Sequence, residues 1–188
     1  MKKAGSILVL LMVLISLFLV GCGGDEKKKA AATSSPPAKQ EAPRTLSLTK
    51  EGLYRLSIEN FPSYTAGVGW GEANMPINIK ECLEVRNGTI KEGPGLGVWK
   101  IKVLSANRDE QGKLKIEIEL SQEGKYDNGK PHFKKFIRGT ITEDHGDSWI
   151  MYGKLAGNIR ETSFKYDGSL EYDVNKDFTS PVTLSNAT

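Results

Sequence analysis

Cysteine and histidine are nearly absent from this sequence, with two of each in 188 residues, and each scarcity removes a class of chemistry. His132 and His145 have no Cys beside them and no His-x-x-x-His spacing, so a zinc centre has no ligand set. Two cysteines allow at most one bridge, not a disulfide framework. There is no Gly-x-Ser-x-Gly elbow and no nucleophile placed beside a base. The chain therefore reads as a non-enzyme, with no cofactor and no metal. An excess of one charge is missing too: 26 Lys and Arg stand against 23 Asp and Glu. Nucleic acid, which requires a concentrated basic face, is excluded as a partner. The one long apolar stretch, residues 7–20, is fourteen residues interrupted only by Ser16, shorter than the roughly 20 needed to cross a bilayer as a helix.

That stretch has another reading. Lys2 and Lys3 precede it and small residues follow, the layout of an export signal. It ends in Leu19-Val20-Gly21-Cys22, which resembles the lipobox of bacterial lipoproteins. The resemblance implies cleavage before Cys22, with acyl chains of the palmitate type on that residue. The mature protein would then be held at the cell membrane or the outer membrane, outside the cytoplasm, by lipid on Cys22. Two or more chains anchor stably where one does not. Removing Lys2 and Lys3 leaves 24 cationic against 23 acidic side chains, a net charge of +1. Acylation of Cys22 would leave Cys82 without a partner, and with no basic neighbour it reads as a buried, inert thiol.

The organisation expected is a signal peptide over residues 1–21, a flexible tether over 22–44 and a β-domain over 45–186. The tether sequence DEKKKAAATSSPPAKQEAPR has no apolar side chain larger than Ala and cannot bury enough surface to fold; about twenty such residues reach roughly 25 Å. Beyond it, apolar residues alternate with polar ones between Gly, Asn and Asp clusters, as in antiparallel strands. The fold class expected is all-β, an antiparallel up-and-down meander of about eight strands closed as a barrel or packed as a sandwich. Residues 99–104 should fold back on 114–120, with Trp99 opposite Leu120, Ile101 opposite Ile118 and Val103 opposite Ile116. Gly157-Asn158 suits a two-residue turn that would set Trp149 opposite Tyr166 and Met151 opposite Phe164. A continuous strand would then carry Phe164 through Asp167-Gly168 to Val174. Asn87-Gly88 marks a further hairpin.

Few stretches carry chemistry. Glu143-Asp144-His145-Gly146-Asp147 gathers three carboxylates and an imidazole, but calcium loops space their oxygens over a longer segment, and a polar turn explains it. Two Gly-rich loops each hold a Trp, at Gly67-Val68-Gly69-Trp70-Gly71 and at residues 93–99. Bare glycines beside an aromatic let a ligand approach, so Trp70 and Trp99 are the candidate ligand-binding residues. Gly97-Val98-Trp99 is similar to the G-x-W signature of lipocalins and related calycin barrels, in which the Trp closes one barrel end. It departs from that pattern in having strands before it. The function expected is capture of a small apolar or glycan ligand, the alternative being a protein-interaction scaffold with an envelope protein as partner. Replacing Cys22 with Ala should move the protein from the membrane fraction to the soluble fraction; a variant that stays with membranes like the parent would remove the lipid anchor.

Overall fold

Glycine at the end of a three-residue loop shapes three hairpins of this chain. At residues 109–113, 126–130 and 165–169 the first N–H donates to the last carbonyl, and the N–H of Gly112, Gly129 or Gly168 donates back to the first carbonyl. These glycines have φ of 77°, 79° and 89°, the left-handed region that a side chain disfavours and this loop type requires. A fourth hairpin turns on Asn87-Gly88, both with positive φ (51° and 69°), as a type I′ turn demands.

The computed structural model describes residues 46–187; the expected signal peptide, the tether and Cys22 lie outside them. The strands are β1 (Gly52–Ile58), β2 (Pro62–Thr65), β3 (Gly69–Glu72), β4 (Ile77–Arg86), β5 (Thr89–Glu92), β6 (Lys100–Arg108), β7 (Leu114–Lys125), β8 (Pro131–Gly146), β9 (Ile150–Phe164) and β10 (Leu170–Asn186). Eight of them form one antiparallel sheet in the order β5-β4-β1-β10-β9-β8-β7-β6, and β2 and β3 form a separate hairpin. That order is the chain order turned into a ring, because β1 lies beside β10. The result is an all-β up-and-down meander nearly closed into a barrel, with a seam where β5 approaches β6. At the seam the Val103 N–H reaches the Glu92 carboxylate at 3.4 Å. A cleft of about 320 Å³ opens there beside Ile90, Ala106 and Leu48.

Because directly opposed residues of antiparallel strands share a face, the registers define inward rows across the barrel. One runs Ser180, Leu155, Ile141, Ile116, Ala106, and another Lys176, Ile159, Ile137, Leu120, Ile101. Leu56, Ile79, Leu83 and Leu184 complete the buried interior from β1, β4 and β10. Large branched side chains fill it.

Three expected registers are corrected. In the β6–β7 hairpin Ile101 faces Leu120 and Val103 faces Ile118, two residues from the expected pairing. The reason is the three-residue loop with Gly112, followed by a bulge between Val103 and Ser105; a shift of two keeps each side chain on its expected face. Gly157-Asn158 is not a turn, because β9 runs straight through it and Gly157 faces Gly139 on β8. The chain turns instead at residues 165–169, where Asp167 Oδ1 accepts from the Ser169 N–H at 2.8 Å. Trp149 and Tyr166 are consequently apart and exposed, at 48% and 57%, rather than paired in the core.

Gly157 has its own necessity. A Cβ built there would sit 2.4 Å from the Arg138 carbonyl oxygen and 2.7 Å from Gly139 Cα, so the two bare residues let the β8 and β9 backbones approach closely. Gly157→Ala should lower stability in urea unfolding by about 2 kcal/mol through overpacking, whereas outward-facing Asn158→Ala should cost less than about 0.5 kcal/mol. Equal effects would contradict the close approach.

Candidate functional site

Strands in an up-and-down barrel start and stop at two ends, and here the ends differ in chemistry. At one end the chain enters through residues 46–50, whose Leu48 and Lys50 N–H groups donate to the Asp147 and Ser148 carbonyls. Leu48 is buried. Beneath it Arg108 donates to the Ser47 and Gly112 carbonyls and lies 3.8 Å from buried Glu143, whose carboxylate accepts from the Leu114 N–H at 2.8 Å. Arg108 and Glu143 each have a backbone partner, and the cleft at the seam borders Arg108.

At the other end β7, β8, β9 and β10 extend past the tips of β1 and β6, and their inward rows change character. Above the apolar row through Ile159 comes Val174, Glu161, Lys135, Gln122, then Tyr172, Ser163, Phe133, Gly124. Glu161 is only 2% exposed and receives the Lys135 ammonium at 3.0 Å. Ser163 Oγ donates to Glu171 at 2.8 Å. Burial first, and then the charge of Glu161, push the Tyr172 hydroxyl above its ordinary value, while its bond to Ser163 opposes them. Tyr172 therefore remains protonated, with its hydroxyl engaged by Ser163.

The β2–β3 hairpin stands over this mouth. Phe61, buried, anchors its base by edge contacts to Trp99 and Phe178 at 6.2 and 5.7 Å. Its two arms bring Tyr64 to 4.8 Å from Tyr172 and to 5.5 Å from Trp70, and Lys176 Nζ lies 5.9 Å from the Trp70 ring centre. Tyr64, Trp70 and Tyr172 are each partly exposed. Aromatic rings and polar side chains thus meet at this end of the barrel. Such a surface presents ring faces for stacking and fixed donors and acceptors for hydroxyl groups.

The structure separates the two tryptophans singled out from the sequence. Trp70 stands at this opening, whereas Trp99 is 7% exposed and packs in the core at the head of β6. Lys135, Glu161, Ser163 and Lys176 escaped sequence reasoning. The signal that reveals them is period-two parity: counted inward from Ile137 and Ile159, the next positions are charged. The Glu143–Asp147 stretch is structural. Glu143 accepts from the Leu114 N–H, Asp147 Oδ1 accepts from the Trp149 and Ile150 N–H groups, and His145 stacks on Tyr152. Among the described residues no group of three or more His, Cys, Asp or Glu could hold a metal ion.

Cys82 lies at a bulge in β4 with its Sγ 3.6 Å from the Tyr54 carbonyl oxygen. Burial pushes this thiol from 9.0 up to about 12. The unfolded thiol ionises first, so the folded state holds more protons between those values and stability falls as pH rises through that window. Below it the thiol is neutral and enclosed. Iodoacetamide at pH 8 should leave Cys82 unmodified in the native protein and alkylate it in urea, as read by mass spectrometry; native labelling at the unfolded rate would contradict the burial.

No family model matches this chain, and comparisons with curated proteins and with solved structures likewise return no match.

Proposed function

We propose that this protein is a lipid-anchored lipoprotein outside the cytoplasm whose β-domain captures a small glycan at the mouth framed by Tyr64, Trp70 and Tyr172. The observation that carries this reading is the inversion of polarity at that end. Lys135, Glu161 and Ser163 point inward beside Val174 and Phe133, while Phe136 and Phe164 point outward, where burial alone would select a wholly apolar interior. Buried charges cost stability unless paired and hydrogen-bonded, and an apolar row would serve the core better. Polar groups under an aromatic lid suit a ligand rich in hydroxyls. The branched side chains below them favour a shallow site at the rim over a deep apolar cavity, and hence a glycan over a lipid.

A second reading has its own observation. Phe136 and Phe164 lie on the outer face in a cleft of about 350 Å³ with Lys134, Arg160, Thr162 and Asp173, and exposed aromatics of this kind also serve protein contacts.

Titration of tryptophan emission with neutral and acidic oligosaccharides, and with phospholipid vesicles in parallel, tests the primary reading. Saccharides should shift the emission, and Trp70→Ala should weaken binding by about tenfold or more, the value of a lost stacking contact. A response to vesicles alone, or to no titrant, would reject glycan capture.

A further inference from the structure

Two lysines stand on the inward faces of the strands that build the mouth, one half-buried in an ion pair and one exposed beside Trp70. Lys135 neutralises buried Glu161. Lys176 shares its inward row with Ile159, Ile137, Leu120 and Ile101, a row that any β-branched apolar residue would continue. Its ammonium has no carboxylate partner among the described residues and lies 5.9 Å from the Trp70 ring centre. The outward face of β10 spends its charges differently. Asp173 is clamped by Arg160 and Thr162, and Asp177 accepts from Asn158. On β10 the outward acids are thus engaged, while inward Lys176 has no carboxylate partner among the described residues.

We infer that the mouth selects a sugar ring bearing a negative charge, with Trp70 and Tyr64 presenting ring faces and Lys176 binding the anionic substituent. This rests on the glycan-capture reading above and narrows its ligand class. An ammonium beside an indole face is held in place by the ring quadrupole while its remaining donors stay free. A carboxylate or a phosphate on the sugar then meets a charge that no protein group already satisfies. Charge-assisted hydrogen bonds are about twice as strong as neutral ones. The Glu171 carboxylate, which already accepts from Ser163, has acceptor capacity for a neighbouring sugar hydroxyl, and its charge directs an anionic substituent to the Lys176 side. Both sources of charge share this chemistry, so they must be separated by experiment.

The test is calorimetric titration of the full chain in mild detergent with trigalacturonate, mannose 6-phosphate and maltotriose, which represent a carboxylate sugar, a phosphate sugar and a neutral sugar. At least one anionic sugar should bind more tightly than maltotriose, with an affinity that falls as salt rises. Lys176→Gln should weaken that binding about tenfold, as loss of a charged hydrogen bond does, and leave maltotriose unaffected. Lys176→Arg should retain most of it. The side chain is exposed, so these variants should fold, and an unchanged melting temperature checks that they do. Which anionic sugar responds tells carboxylate from phosphate. Equal affinity for all three sugars, or Lys176→Gln without effect, overturns this inference and leaves glycan capture standing. Failure of every sugar to bind, or binding indifferent to Trp70→Ala, overturns both.

Discussion

The barrel exists because the first strand of the domain pairs with the last. Tyr54 to Ile58 of β1 lie against Asn186 to Val182 of β10, and that ladder brings the apolar face of β1 and β4 over the face built by β6 to β10. Without it the meander would be an open ribbon with Leu56, Ile79 and Leu83 facing water. The contact spans nearly the whole domain, so it carries the largest loop-closure cost in the fold. The hairpins between β6 and β10 are local and need no such closure. Ring closure depends on them, since β1 has nothing to zip onto until β10 is in place, and topologies of this kind fold slowly for that reason.

Much of this architecture was legible in the residues, and the exceptions have two causes. Asn87-Gly88 announces its hairpin because few other pairs adopt positive φ at both positions. The β6–β7 faces are readable because Ile116, Ile118 and Leu120 alternate with Lys and Glu; the two-residue offset was not, since a loop of two and one of three residues look alike around Gly112. The β9–β10 region misleads more deeply. Assigning Phe164 and Tyr166 to the core forces a turn at Gly157 and forbids one at Asp167-Gly168. In the structure Glu161 and Ser163 are the inward residues, and the real turn follows at once. Binary patterning assumes that the inside is apolar. It fails where the inside is polar, and that is the mouth.

The two interior ion pairs make the contrast plain. At one end Arg108 and Glu143 satisfy the Leu114 N–H and the Ser47 and Gly112 carbonyls, so they cap backbone groups that the strands leave open. Lys135 and Glu161 cap no strand end. They sit side by side on paired strands at the height where the lid hairpin begins, and they form a floor rather than a plug. Aromatic side chains follow the same division: Phe61, Trp99 and Phe178 pack among themselves to carry the hairpin, leaving Tyr64, Trp70 and Tyr172 partly in solvent. Rigid support lies beneath, and accessible faces lie above.

The seam between β5 and β6 has a further consequence. A sheet that stops short of closure presents two bare strand edges, and bare edges recruit strands from other molecules. Here β5 is four residues long, too short to template much of a ladder. The β6 edge carries Lys100 and Lys102 on its outward side, kinks at the bulge after Val103, and has the Val103 N–H occupied by Glu92. Short length, lysine and a bulge are the devices by which sheet proteins resist growing edge to edge. The barrel can therefore forgo its last ladder of hydrogen bonds and still resist polymerising through the gap.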